Sequence, residues 1–326
     1  MEIVLISVLS LTLAFNIGAN NAASSMSTVY GSKMLTKLGA LSLAFVFVFL
    51  GGSIAGENVV TTVGKELLKI DFISLHSFLI YLVLLVPIIS IIIANKAKIP
   101  IATTHIVVCT IFGIGLSLNA LNLSKASEIV LWWIITPIGI WLVNYIIGKY
   151  IYFNIVNKLI SLDGKKTQKI HLSLRILVIS SACFLALFAG ANNAANAAAP
   201  IVGLDLISAK DAALISGFFM ALGALIFGGG IIENIATKIT SLSLIRAVSV
   251  NFTGGTFLAV ASFYGIPISM AEIITSGIIG FSCSTSGFKK TFKNKSVLKI
   301  LAFWIFAPII CVGLSFYLTN IIGNIK

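Results

Sequence analysis

The chain has 326 residues, of which 58% are hydrophobic and only 10% are charged. Soluble domains carry roughly 25% charged residues, so this composition excludes a water-soluble globular protein and predicts an all-α integral membrane protein in a lipid bilayer. The formal net charge of +12 does not call for a nucleic-acid partner, because the insertion of membrane helices favours a basic excess in cytoplasmic loops.

Five apolar segments are predicted in the first half of the chain, because each approaches the ~20 residues that a helix needs to cross a bilayer. They cover residues 2–30, 38–56, 72–95, 99–118 and 129–150. The first ends in a small and polar stretch, Gly18–Ser24, which contains Asn20 and Asn21 and is named here the first asparagine motif. Small residues let two backbones approach closely or let a helix unwind, and asparagine supplies hydrogen-bonding groups that lipid lacks.

The second half of the chain repeats this order of apolar segments. They are predicted over residues 173–204, 211–231, 247–264, 266–286 and 298–323. The second asparagine motif, Gly190–Pro200, lies in the first of them and contains Asn192, Asn193 and Asn196. Two polar motifs at matching places in two apolar halves point to a binding site.

Four landmarks recur in one order at offsets of 167 to 176 residues, which makes chance a poor explanation. They are the asparagines, the glutamates after the second segments, the prolines of the fourth segments and the tryptophans of the fifth: Asn20 and Asn192, Glu57 and Glu233, Pro100 and Pro267, Trp133 and Trp304. We infer an internal duplication, with one repeat over 1–150, a basic cytoplasmic linker over 151–172 and a second repeat over 173–326.

Charge predicts the orientation of the two repeats. If the basic stretches 149–175 and 289–299 are cytoplasmic, five crossings per repeat place 17 of the 22 lysines and arginines inside and both termini outside. An odd number of crossings inserts the second repeat upside down. We therefore predict a multi-pass plasma-membrane protein with two inverted repeats and discontinuous helices at their interface, the architecture of many secondary transporters.

Amide and hydroxyl side chains in these apolar segments are the candidates for substrate binding. Each fourth segment carries a proline near its start, which suits the first turn of a helix, and small hydroxyl residues follow it. Hydroxyl and free N–H groups at a helix N-terminus attract anions, although small residues and hydroxyls also serve ordinary helix packing. The candidates are Asn20, Asn21, Asn192, Asn193, Asn196, Thr103, Thr104 and Ser269.

Four ionisable residues in or near the apolar segments are candidates for proton or cation coupling, since such residues in a membrane default to function. They are Glu57, Glu233, Glu272 and His105. His105 and Glu272 each lie five residues past a proline, whereas Glu57 and Glu233 alternatively mark membrane edges. The four cysteines lack metal-ligand spacing, no cofactor is expected, and the absence of a phosphate-loop or hydrolase motif argues against an ATPase or enzyme.

Together these landmarks resemble the inorganic phosphate transporter (PiT) family, over nearly the whole chain. That family carries two Gly-Ala-Asn-Asp signatures in inverted halves, which read Gly-Ala-Asn-Asn here from Gly18 and from Gly190. Its helix starts of the Gly-Leu-Pro-Val-Ser-Thr-Thr type correspond to Ile99–His105 and Ile266–Ser269. The resemblance implies a cation-coupled phosphate symporter that holds the oxyanion between the helix starts and the signatures, and it extends to the family's shorter sulfate-permease branch.

The chain departs from that family where an aspartate is usual, because Asn21 and Asn193 stand there. Asparagine offers a cation only a neutral carbonyl oxygen, so a sodium ion near these residues and a proton at the ionisable candidates both stay open as the coupling ion. Phosphate is placed first on the family pattern, and sulfate, which carries no proton near neutral pH, is the alternative. A passive anion channel, an intramembrane enzyme and a homo-oligomer are also left open.

Overall fold

A computed structural model of the protein describes residues 2–70, 77–97, 101–160, 164–238 and 244–323. The elements in these ranges are helices, in agreement with the all-α prediction. The first half contains α1 Glu2–Ile17, α2 Ser27–Gly31, α3 Lys37–Ala55, α4 Glu57–Thr61, α5 Ser77–Ala97, α6 Thr103–Ser117, α7 Leu123–Ile146 and α8 Tyr152–Ile160. Turns of π-helix follow α1, α4 and α7 at Gly18–Ala22, Thr62–Glu66 and Ile147–Ile151.

The second half begins with a helix of 40 residues, α9 Gly164–Gly203. The helices after it are α10 Ala209–Phe227, α11 Gly229–Lys238, α12 Leu244–Phe263, α13 Met270–Ser286, α14 Phe288–Phe292 and α15 Lys295–Gly323. The predicted linker, 151–172, therefore contains α8 and the first part of α9, and its residues 161–163 lie outside the described ranges.

Seven helical stretches of the described chain are long and apolar enough to cross a membrane. They are Glu2–Gly31, Lys37–Ala55, Leu123–Asn157, Ile170–Gly203, Ala209–Phe227, Leu244–Phe263 and Val297–Ile321, and they correspond to seven of the ten predicted segments. The chain is thus a multi-pass membrane protein.

The three other predicted segments contain shorter apolar helical stretches. Residues 72–95 give the apolar stretch Phe78–Ile93 of α5, and the start of that segment lies outside the described residues. Residues 99–118 and 266–286 give α6 and α13, of 15 and 17 residues. Both helices are shorter than the ~20 residues of a full crossing because the described residues directly before them, 101–102 and 266–269, are not helical. We describe α6 and α13 as half-helices.

Equivalent elements of the two halves share length and capping. Helices α3 and α10 both have 19 residues. The side chain of Thr36 accepts a hydrogen bond from the Gly39 amide at the start of α3, and Ser208 accepts one from the Asp211 amide at the start of α10. Side-chain caps of this kind satisfy amides that have no partner inside the helix.

Contacts between the halves are reciprocal. A β-carbon added to Gly18 would lie 1.9 Å from the Met220 carbonyl oxygen, and one added to Gly190 would lie 2.1 Å from the Val48 carbonyl oxygen. The two glycines are 172 residues apart, and so are the two residues that they touch. Only glycine permits such backbone contact, so α1 packs on α10 in the same way as α9 packs on α3.

Candidate functional site

The two asparagine motifs differ in backbone conformation. The first forms the π-helical turn Gly18–Ala22 at the end of α1, whereas the second lies within the continuous helix α9. The first motif therefore widens the helix to a π-helical turn without breaking it, and the second leaves α9 continuous, so neither motif unwinds as the sequence suggested. Alanine has the highest helix propensity of the residues, and the alanine-rich second motif keeps the helix intact. Turns of π-helix occur frequently at functional sites.

Asparagines of α9 meet the start of half-helix α6 in a buried polar cluster. The Asn196 amide nitrogen donates to the Thr104 hydroxyl at 3.1 Å, and it lies 3.4 Å from the Asn193 amide oxygen. The Thr104 hydroxyl lies 3.3 Å from that same oxygen and 3.3 Å from the Ile268 carbonyl oxygen. The Asn196 amide oxygen is buried without a hydrogen-bond partner in the described ranges. Thr104 thus connects the second asparagine motif to both half-helix starts.

The first asparagine motif approaches the same helix start. The Asn21 amide nitrogen donates to the Thr103 hydroxyl at 2.5 Å, and both residues are buried. Asn20 is buried in the same turn. Pro100, which the sequence analysis placed at this helix start, lies outside the described residues. The candidate residues Asn21, Thr103, Thr104, Asn193 and Asn196 are therefore linked around the start of α6.

Ser269 begins half-helix α13 as its N-cap, and its side chain accepts a hydrogen bond from the Glu272 amide at 3.4 Å. Like every helix start, α6 and α13 leave their first amides without partners inside the helix. The Thr104 contact with the Ile268 carbonyl places these two starts side by side.

Asn192 has a different role, because its side-chain groups hold the segment that leads into α13. Its amide nitrogen donates to the Ile266 carbonyl oxygen at 2.9 Å and lies 3.3 Å from the Ser262 hydroxyl. Its amide oxygen accepts from the Ile268 amide at 2.9 Å. Asn192 therefore fixes the position of a half-helix start rather than offering free groups to a ligand.

Replacing Asn192 with alanine is expected to lower the midpoint of thermal unfolding of the detergent-solubilised protein. Each buried backbone group left without a partner costs roughly 1–3 kcal/mol, and the change strands two of them, which corresponds to a shift of about 5 °C or more. The matched control is Asn154→Ala, because Asn154 is exposed on α8 and bonds only the Tyr150 carbonyl of its own helical turn. Equal midpoints for the two variants would contradict the assigned role.

His105 and Glu272 lie together at the third residue of α6 and α13. The His105 Nδ1 atom is 3.3 Å from Glu272 Oε1, and each side chain is only 5% exposed. The two side chains are in close contact, but neither imidazole nitrogen makes a hydrogen bond to a described residue. The His105 ring stacks on Trp133 with 3.9 Å between ring centroids. His105 and Glu272, which occupy equivalent places in the two halves of the sequence, are thus in contact.

Glu57 and Glu233 lie apart from this cluster. Glu57 is exposed in the first turn of α4. Glu233 forms an ion pair of 2.8 Å with Lys37, and half of its side-chain surface is exposed. Their exposure is consistent with the alternative that the sequence left open, in which they mark the edges of the membrane, and their coupling role stays a prediction.

A second buried polar group was not identified from the sequence. The Asn251 amide nitrogen donates to the Thr28 hydroxyl at 2.9 Å and lies 3.4 Å from the Ser181 hydroxyl. Elsewhere on α12, the Ser249 hydroxyl donates to the Asn144 amide oxygen at 2.7 Å. The sequence feature that could have identified this group is the presence of Asn144 and Asn251 in apolar segments. Neither asparagine belongs to a repeated motif.

The site offers amides, hydroxyls and helix starts, which can surround a tetrahedral anion with hydrogen-bond donors. The described residues contain no group of three or more His, Cys, Asp or Glu side chains that could hold a metal ion. The amide oxygen of Asn193, one of the two positions considered for sodium, lies within hydrogen-bonding distance of Thr104 and Asn196.

A family model described as the phosphate transporter family matches residues 17–315 of the chain. The sulfate permease CysP of Bacillus subtilis (strain 168) is 32% identical over 96% of this chain and 86% of that protein. The sodium-dependent phosphate transporter of Plasmodium falciparum is 34% identical over 155 residues, or 43% of this chain and 23% of that protein. A solved structure of "the sodium-dependent phosphate transporter" has a TM-score of 0.82, covers 100% of both chains and is 23% identical, so the two chains share a fold.

Proposed function

Because the chain belongs to the phosphate transporter family, we propose that it is a secondary active transporter that moves a tetrahedral oxyanion together with a cation. The observation that carries this proposal is the meeting of two buried half-helix starts, α6 and α13, with the asparagines of α9 at Thr104. Helix starts and neutral donors bind an anion without the cost of burying a fixed positive charge.

The proposed architecture is a pair of inverted repeats, 1–150 and 173–326, joined by the linker 151–172. The reciprocal glycine contacts of Gly18 and Gly190 support it, because a two-fold relation between the repeats produces such exchanged partners. The pairing of α6 with α15 and of α13 with α7 is also exchanged between the repeats. In this arrangement the substrate site lies at the repeat interface.

Contacts between distant charged residues support the proposed orientation. Lys37 pairs with Glu233, and the Arg175 guanidinium donates to the Met34 carbonyl oxygen at 2.9 Å, which joins residues assigned to the cytoplasmic side. Lys65 pairs with Asp205, and both are assigned to the outer side. Each contact thus links residues that the orientation places on one face of the plasma membrane, with both termini outside.

Inorganic phosphate is the first candidate substrate, in line with the family. Sulfate is the second. The described groups that contact Thr104 are amides and a backbone carbonyl rather than carboxylates, and Glu272 faces His105. The Asn196 amide oxygen, which has no hydrogen-bond partner among the described residues, is nevertheless an acceptor that phosphate could use. Phosphate near neutral pH carries a proton that needs an acceptor, whereas sulfate only accepts hydrogen bonds. The printed name of the Bacillus subtilis relative agrees with this second candidate.

Uptake of labelled phosphate and sulfate into proteoliposomes, with imposed proton or sodium gradients, tests the proposal. We expect one of the two anions to accumulate against its concentration gradient. Absence of uptake of both anions under every gradient would refute the transporter, and flux that never exceeds equilibration would identify a passive channel. Accumulation of sulfate alone would select the second candidate.

Neutralising the exposed glutamates is expected to change uptake little. Glu57→Gln and Glu233→Gln should each transport within about fivefold of the wild-type rate, because surface ion pairs contribute roughly 0–1 kcal/mol and 1.4 kcal/mol is a factor of ten. Initial rates in proteoliposomes, normalised to the amount of inserted protein, measure this. If a variant no longer accumulates the anion but still exchanges it in counterflow, the replaced glutamate takes part in cation coupling.

A further inference from the structure

The contact between His105 and Glu272 has the composition of a proton-binding site. The residues come from opposite halves of the chain, 167 residues apart, and occupy the same position in two half-helices. Their closest atoms are 3.3 Å apart, and each side chain is 95% buried. Imidazole and carboxyl groups are among the side chains that most often take part in proton transfer.

The imidazole is held by stacking and leaves its nitrogens available. Neither His105 Nδ1 nor Nε2 makes a hydrogen bond to a described residue. The ring lies 3.9 Å from the Trp133 ring, whose indole N–H donates to the Pro267 carbonyl oxygen at 2.8 Å. A tryptophan face favours a cation above it, so this packing tolerates the protonated imidazole. Trp133 also ties the imidazole to the segment that begins α13.

Among the described residues, few other titratable groups lie near the pair. The thiol of Cys109, one turn along α6, interacts electrostatically with Glu272 and with the Cys311 thiol of α15. In the described ranges, the groups recorded nearby on the other packed elements are uncharged: the Trp133 ring of α7 lies against His105, and Asn193 and Asn196 of α9 lie at the neighbouring Thr104. Besides the thiols, His105 and Glu272 are the groups among these described contacts that can carry a charge.

Charge balance relates the proton content of the pair to the occupancy of the site. One shared proton keeps the pair neutral overall, either as two neutral groups or as an ion pair, and a buried site favours zero net charge. A second proton makes the pair positive, which is costly in the empty site and favourable beside an anion. Thr103 and Thr104 directly precede His105, and Ser269 lies three residues before Glu272, so the proposed anion site adjoins the pair.

We propose that His105 and Glu272 hold one proton when the site is empty and two when the oxyanion is bound, and that this second proton is the coupling ion. It is taken up with the anion on the outer side and released with it on the inner side, so no other reactant is needed. This inference rests on the proposed oxyanion transport. Linkage makes it reciprocal: the anion strengthens proton binding by the same factor as the proton strengthens anion binding.

The test begins with the wild-type protein in sodium-free buffer. Binding of the transported anion, measured by calorimetry in two buffers of different ionisation enthalpy, should take up about one proton per anion after correction for the titration of free phosphate. Affinity should therefore rise about tenfold for each unit of falling pH over the range in which the second proton binds. Binding with no proton uptake would overturn the inference, and so would a requirement for sodium.

The Glu272→Gln variant then tests the pair itself. We expect it to exchange labelled for unlabelled anion in counterflow, yet to lose accumulation driven by an imposed pH gradient by at least tenfold. Glu128→Gln is the matched control, because Glu128 is a partly exposed glutamate that pairs with Lys125 at 3.1 Å, and it should accumulate anion as the wild type does. Wild-type accumulation by Glu272→Gln would overturn the inference and leave oxyanion transport intact. Absence of counterflow and uptake in the wild type itself would instead refute the proposed function.

Discussion

Replacing Thr104 with valine is expected to reduce anion affinity and transport by roughly 10- to 150-fold, with the protein still folded. The substitution keeps the shape of the side chain and removes the hydroxyl that links Asn193, Asn196 and the Ile268 carbonyl. It also removes a donor from the proposed anion site, and a hydrogen bond to a charged group contributes roughly 1.5–3 kcal/mol. Counterflow at varied anion concentration measures the loss as a rise in half-saturation.

Thr110→Val is the control for this change. Thr110 lies on the same half-helix and is fully buried, but its hydroxyl donates only to the Ile106 carbonyl oxygen of its own helix, at 2.7 Å. We expect transport by this variant to stay within about threefold of wild type, since a bond to the helix backbone adds little to stability. Similar losses in both valine variants would mean that Thr104 acts through helix packing and not through the site.

Replacing Gly51 with alanine is expected to prevent formation of a folded, monodisperse protein. A β-carbon at Gly51 of α3 would lie 1.7 Å from the Leu187 carbonyl oxygen of α9. The equivalent residue, Gly223 of α10, would place a β-carbon 1.9 Å from the Phe15 carbonyl oxygen of α1. Ordinary overpacking of a core costs about 1–3 kcal/mol, and contact with a backbone atom of a packed helix leaves little means of relief. Size-exclusion profiles and thermal unfolding of the detergent-solubilised variants measure the effect.

Gly313→Ala is the control for Gly51→Ala. It distinguishes a steric clash at Gly51 from a general effect of replacing any helix glycine. Gly313 lies in α15, and a β-carbon there would meet nothing within 4 Å. Alanine favours a helix over glycine by roughly 1 kcal/mol, so this variant should fold at least as well as wild type. A normal profile for Gly51→Ala would show that α3 and α9 can separate, and it would weaken the case for the reciprocal packing of the two repeats.

The sequence was sufficient for the helical class and the family, both of which are confirmed. The apolar composition shows that lipid surrounds the helices. The asparagine and proline landmarks recur in the same order in both halves, and this repetition distinguishes the family from ordinary helix packing. The lengths of α6 and α13 were not predictable, because the residues before them are as apolar as the helices themselves. Where a half-helix starts depends on tertiary bonds such as those of Asn192, which sequence patterns do not contain.

The sequence identified side chains that lie together, but not the contacts that each of them makes. Asn21, Asn193 and Asn196 do meet the threonines of α6, but Asn192 is occupied by the backbone before α13. Glu57 and Glu233 resembled buried coupling groups because each follows an apolar segment. Their exposure depends on where each helix ends relative to the bilayer. A shift of the helix by one residue changes that position, and the sequence pattern does not define it. The substrate-binding and coupling roles themselves stay predictions.

The length of α9 has a practical consequence for imaging. Its 40 residues measure about 60 Å, twice the ~30 Å of the hydrocarbon core, so one helix carries the second asparagine motif and also emerges from the membrane. A membrane protein of 34.6 kDa offers little mass outside the detergent belt for particle alignment. A rigid helical fusion that continues the start of α9 would show the tilt of this helix in the membrane directly.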